Sequence, residues 1–169
     1  MSLCFRRRFA LLFTCCALFG AVALHAQREK LPPEDLEIVE QRWPNAQKTS
    51  SGLRYIVVKE GERHGPQPEA GMFVKVLYKG ELLDGSVFDQ SQDPADPFIA
   101  RIGRGDLIDG WDQAILRMRK GEKWILIVPY ELGYGTRGHP PRIPKRATLI
   151  FEMELLDFGR GEPAVPSTK

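Results

Sequence analysis

Apolar and polar positions alternate along most of the chain after residue 52, and that period of two predicts strands. Leu53, Tyr55 and Val57 alternate with Arg54, Ile56 and Val58, and Val74, Val76 and Tyr78 alternate with Phe73, Lys75, Leu77 and Lys79. Further strands are expected around Phe98 to Ile102, Lys123 to Val128 and Thr148 to Asp157, and the Asp-Gly step in Leu83-Asp84-Gly85-Ser86 signals a tight hairpin turn. A helical period appears twice. Trp111, Ala114, Ile115 and Met118 share one face, with Asp109 placed to cap the start and Lys120-Gly121 to end the helix. Earlier, Leu36, Val39 and Trp43 share a face in a segment that starts at Pro33, carries acids in its first turn and stops at Pro44. So short a helix is marginal alone, so it is expected to pack on the main domain through Trp43; a dimerisation arm would need several more turns. Ala46 to Gly52 reads as a polar linker. The pattern is α+β: an antiparallel sheet with one central short helix.

The run Leu132-Gly133-Tyr134-Gly135-Thr136-Arg137-Gly138-His139-Pro140-Pro141-Arg142-Ile143-Pro144 interrupts the pattern. Its glycines and prolines oppose both helix and central strand, because Gly adds backbone entropy and Pro lacks an amide donor. Strand-like flanks argue against disorder. A stiff loop offering a tyrosine, a histidine and prolines is expected to form one wall of an apolar pocket, against the plainer reading of a proline-stiffened surface loop.

The first 26 residues have the order of a secretory leader: Arg6, Arg7 and Arg8, then an apolar and small-residue core from Phe9 to Leu24, with Ala21-Val22-Ala23 or Leu24-His25-Ala26 as possible cleavage sites. An uncleaved membrane anchor is the alternative, and a lipoprotein signal at Cys15 or Cys16 is weaker because Phe13-Thr14 lacks the small-residue pattern. All three cysteines, Cys4, Cys15 and Cys16, lie in this leader, so the mature chain would hold no disulfide, thiolate nucleophile or cysteine-bound zinc. The whole chain has 24 Lys and Arg against 22 Asp and Glu; three of the 24 are Arg6 to Arg8, which leaves the remainder near −1. No clustered basic surface points to nucleic acid. The organisation expected is a signal peptide over 1–26, a short helix and linker over 27–50, one domain over 51–158 and a flexible tail over 159–169.

Taken in order, the motifs form a recognisable series. Val76-Leu77-Tyr78-Lys79-Gly80, Leu83-Asp84-Gly85, Phe88-Asp89-Gln90-Ser91, Pro97-Phe98 and Gly110-Trp111 come first. Met118 to Gly121, Gly133-Tyr134-Gly135, Gly138-His139-Pro140, Ile143-Pro144 and Ala147-Thr148-Leu149 follow. From about Ser51 to Phe158 the chain closely resembles the FKBP-type peptidyl-prolyl cis-trans isomerases, the tacrolimus-binding immunophilins. The resemblance implies a twisted antiparallel sheet wrapped around one short helix, with an apolar pocket between them. It implies Trp111 as the pocket floor and Tyr78, Phe88, Phe98, Leu107, Ile108 and Phe151 as walls, with Asp89 as a buried carboxylate. It further implies that the Tyr134 hydroxyl and the Ile108 amide hold carbonyls of the bound chain, with His139 and Ile143 in the overhanging loop. Pro94, Ala100, Leu132 and Arg142 depart from the family pattern and bear on substrate preference and drug affinity.

The implied reaction is rotation about an X-Pro bond, against a barrier near ~20 kcal/mol. Twisting removes amide resonance and lowers charge separation, so an apolar pocket favours the twisted form while water favours the planar one. The residues expected to carry catalysis are Tyr78, Phe88, Asp89, Trp111 and Tyr134; those expected to bind substrate are Phe98, Leu107, Ile108, His139, Ile143 and Phe151. For Asp89 a carboxylate hydrogen-bonded to Tyr78 is favoured over a general acid, and for His139 loop packing over proton transfer. No cofactor and no metal are expected, since His64 and His139 are the only histidines after the leader. Expected partners are proline-containing polypeptides and macrolides such as tacrolimus or rapamycin, with no nucleic acid, for a monomer. The expected address is exported and periplasmic, with a membrane anchor, a eukaryotic secretory pathway or a thylakoid lumen as alternatives. Two other classes stay open: a proline-binding chaperone module with little turnover, and a small β-rich enzyme using Asp89 and His139 as an acid–base pair.

Overall fold

The computed structural model describes residues 29–161; the signal peptide expected over 1–26 and most of the tail expected over 159–169 lie outside the described residues. Helix α1 (Pro33–Arg42) opens the described chain, followed by β1 (Gln47–Lys48), β2 (Arg54–Lys59), β3 (Phe73–Leu82), β4 (Val87–Ser91) and β5 (Phe98–Arg101). Helix α2 (Asp109–Ile115), β6 (Lys123–Val128), a 3-10 turn (Tyr130–Leu132) and β7 (Leu149–Gly159) complete it. The strands join in one antiparallel sheet of order β1-β2-β6-β7-β3-β4, and β5 shares with β4 the outer edge of β3. β3 alternates as expected, with Val74, Val76 and Tyr78 buried on one face. Gly80 continues that face without a side chain. A Cβ there would stand 2.7 Å from the Phe88 ring and 2.9 Å from the Phe151 ring, so the two rings close over the strand only because the position is glycine.

The sheet carries a core on each side. On one face α2 lays Trp111, Ala114 and Ile115 against Val74, Val76, Leu126, Phe151 and Met153. On the other, Val39 of α1 is fully buried with Leu31, Ile127 and Ile150, and Trp43 is only partly buried beside them. The anchor of α1 is therefore Val39 rather than Trp43, whose ring lies under the Arg42 guanidinium at 4.5 Å. At about 1.5–3 kcal/mol per fully buried aliphatic side chain, these contacts hold a ten-residue helix that is marginal in isolation.

Two local expectations are corrected. The linker Ala46 to Gly52 contains β1, whose Gln47 and Lys48 pair with Tyr55 and Arg54 and add a strand to the sheet. In α2, Asp109 is the first helical residue and caps nothing; Ile108 is the extended N-cap residue, without a side-chain cap. That helix ends at Ile115, one turn before Lys120, because the amides of Arg117 and Met118 reach back to Ala114 and Ile115 in tighter turns. Glu29, just ahead of α1, ties the N-terminal segment to the sheet: Oε2 accepts from Lys48 Nζ at 2.6 Å and Arg54 Nη2 at 2.9 Å, and Oε1 from the amides of Lys30 and Leu31.

Candidate functional site

Between the concave face of the sheet and α2 lies a cavity of about 500 Å³. Its floor is Trp111, 5 % exposed, because α2 points this residue at the sheet where β3 and β7 run side by side. Three rings stand edge-on around the indole: Tyr78 at 4.8 Å, Phe151 at 5.2 Å and Phe98 at 5.8 Å between centroids, all within 13° of perpendicular. Phe88 extends the wall by an edge contact to Phe151 at 5.6 Å. Edge-to-face packing contributes about 0.5–1.5 kcal/mol per aromatic pair beyond area burial, so the box holds its shape when empty. Leu107 and Ile108 close a further side. They are presented there because Asp112 Oδ1 accepts the Gly103 amide at 2.9 Å and pins the loop before α2.

A few polar groups face this apolar box. Tyr78 donates its hydroxyl to Asp89 Oδ2 at 2.7 Å, the bond expected between these two side chains. Asp89 itself is exposed, not buried: on β4 only Phe88 turns into the core, and the carboxylate sits at the lip of the cavity. Burial, the bond to Asp89 and its charge together push the Tyr78 phenol well above the usual tyrosine range. Tyr134 is 39 % exposed; burial of its ring side and then the Asp89 charge raise its phenol too, so both hydroxyls stay protonated donors at neutral pH. The indole Nε1 of Trp111 is buried and has no hydrogen-bond partner among the described residues. An unpaired buried donor is costly, and a bound carbonyl would satisfy it.

Nine of the residues singled out in the sequence line the cavity together: Tyr78, Phe88, Asp89, Phe98, Leu107, Ile108, Trp111, Tyr134 and Phe151. His139 and Ile143 do not. These two exchange backbone hydrogen bonds of 2.9 and 3.0 Å, which fold the loop tip back on itself and bury Ile143 in the core. The His139 ring stands 5.5 Å from Tyr134 and backs it from outside the cavity. Arg142, a departure from the family pattern, reaches the Phe88 carbonyl at 3.3 Å and couples the same loop to β4. Asp106, Asp109 and Gly133 also line the cavity and were not anticipated as site residues. An exposed aspartate in a loop or a helix's first turn carries no pattern that separates it from ordinary surface.

A family model described as FKBP-type peptidyl-prolyl cis-trans isomerase matches residues 65–156. The chain is 47 % identical over 106 residues to peptidyl-prolyl cis-trans isomerase FKBP2 of Mus musculus, a match covering 62 % of this chain and 76 % of the relative. It is equally similar to the Homo sapiens protein of that name, with 75 % of the relative covered. FK506-binding protein 1A of Aspergillus fumigatus is 51 % identical over 89 residues, covering 53 % of this chain and 80 % of the relative.

Proposed function

For a chain that belongs to the FKBP-type peptidyl-prolyl cis-trans isomerase family, and is an isomerase of that type, we propose that catalysis occurs in the aromatic cavity over Trp111. Trp111 and the rings of Tyr78, Phe88, Phe98 and Phe151 enclose the proline ring and exclude water from the imide. A planar imide loses its hydration there, while the twisted transition state, with less charge separation, loses little. No bond is made or broken, so no nucleophile is needed. The Tyr134 hydroxyl and the Ile108 amide hold flanking carbonyls and fix one side of the bond while the other turns. Asp89 orients the Tyr78 ring through its 2.7 Å bond and acts as a positioning residue. His139 and Ile143 serve by supporting the loop that carries Tyr134.

The observation that carries this reading is the ring of edge-on aromatics around a floor indole that has no hydrogen-bond partner among the described residues. Substrates are proline-containing polypeptides. A macrolide of the FK506 type is expected to compete for the same cavity, as the name of the fungal FK506-binding relative indicates for that protein. The leader-like residues 1–26 support work on exported proteins, in a periplasm or a eukaryotic secretory lumen. Among the described residues no helix is long and apolar enough to cross a membrane.

The test is isomerisation of a short Leu-Pro peptide by the wild type and by Trp111→Ala/Tyr134→Phe. The double variant is expected to lose at least about a hundredfold in kcat/KM, equivalent to ~2.7 kcal/mol of transition-state stabilisation. Wild-type rates in a folded double variant would move the reaction out of this cavity.

A further inference from the structure

The lip of the cavity is acidic. Of the twelve described residues that line it three are aspartates, Asp89, Asp106 and Asp109, and none is Lys, Arg or His. None of the nearby cations, Arg104 two residues before Asp106 included, forms an ion pair with these aspartates among the described residues. Arg142 lies on the Phe88 carbonyl, Arg101 Nε on the Gly71 carbonyl at 2.8 Å, and Arg146 over the Tyr130 ring and on its hydroxyl. Asp106 and Asp109 form no ion pair among the described residues, and Asp89 has only the neutral Tyr78 hydroxyl and the Gln90 amide as donors. Asp112, by contrast, is engaged with the Gly103 amide. Nor do the three carboxylates converge as metal ligands would. They flank a cavity whose floor donor, Trp111 Nε1, is buried and unpaired among the described residues, so a ligand position and a negative rim without ion pairs coincide.

We propose that Asp89, Asp106 and Asp109 select proline-containing polypeptides bearing lysine or arginine within two residues of the isomerised proline. The inference rests on the cavity being the isomerase site and adds a substrate class to it. Apolar walls focus the field of charges at a cleft mouth, and a cation on a residue next to the proline sits at that mouth when the ring is inside. The aromatic box reads the proline; the rim reads its neighbour. Each exposed carboxylate acts through high dielectric and contributes modestly, so the preference comes from three like charges acting together.

The experiment follows cis–trans exchange by NMR, without a coupled protease, on Leu-Pro peptides that differ only in Lys, Gln or Glu directly after or two residues before the proline. At low ionic strength the wild type is expected to isomerise Lys peptides with about tenfold higher kcat/KM than Glu peptides in at least one placement, the ratio falling below about twofold near 1 M salt. Asp106→Asn/Asp109→Asn is expected to bring the low-salt ratio most of the way to one. A ratio near one at low salt with the Gln peptide turned over overturns the inference and leaves the isomerase site standing. So does a ratio unmoved by salt, or one kept whole in the folded double variant. No turnover of the Gln peptide by folded protein overturns the site and this inference with it.

Discussion

Neutralising Glu29 tests whether the segment before α1 is part of the folded unit. Partial burial pushes the Glu29 carboxyl up, but the bonds from Lys48, the Leu31 and Lys30 amides and Arg54 outweigh it and hold the carboxyl at about 2, against an ordinary 4.5. At ~1.4 kcal/mol per tenfold change in proton affinity, that difference caps the contribution at about 3 kcal/mol. The side chain is 29 % exposed, so solvent screening reduces it to about 1–2 kcal/mol. The removed charge also leaves Arg54, whose side chain is 11 % exposed, with Glu40 at 3.9 Å as its remaining acid. Because the folded-state pKa is depressed, the contribution is present in full above about pH 4.5 and is lost as pH falls towards 2. Glu29→Gln keeps an acceptor for the Lys30 and Leu31 amides and removes only the charge. Urea unfolding should find the variant about 1–2 kcal/mol less stable than wild type at pH 7, with the gap narrowing below pH 4.5 and closing near pH 2. Equal stability at pH 7, or a gap of constant size across that range, would refute the reasoning.

Two further outcomes follow from the site. Gly80→Ala should drive a Cβ into the Phe88 and Phe151 rings, costing about 1–3 kcal/mol of stability and at least tenfold in kcat/KM; steady-state kinetics with a Leu-Pro peptide beside a urea titration checks both. With the Tyr78 and Tyr134 phenols both pushed up, kcat/KM should stay level from about pH 6 to 9, and a step inside that range would refute the role given to the two hydroxyls.

Strands are legible in this sequence where one face is buried. Val74, Val76 and Tyr78 announce β3 because the core takes every second residue, whereas β1 is two exposed polar residues with no alternation to read. The shared face of Trp111, Ala114 and Ile115 betrays α2, but its end does not follow from Lys120-Gly121. Met118 is buried on a tighter turn that mimics another helical repeat. The aromatic box could be named only through the family resemblance, since periodicity cannot tell a core phenylalanine from a pocket wall. What escaped is what depends on distant partners. The Asp89 carboxylate at the lip, the rim aspartates and the tie from Glu29 to Lys48 and Arg54 join residues with no local signature.

The second core, under α1, changes what a minimal fragment of this protein would be. The span matched by the family model begins at residue 65, so cutting there removes α1, β1 and β2 together. Ile127 and Ile150 would then face water, and the backbone of β6 that pairs with β2 would become a bare strand edge beside them. An apolar patch next to an unpaired edge is a template for self-association. Expression trials should therefore find the part from residue 65 onward soluble only when it is made together with residues 29–64, which cover that patch and occupy that edge.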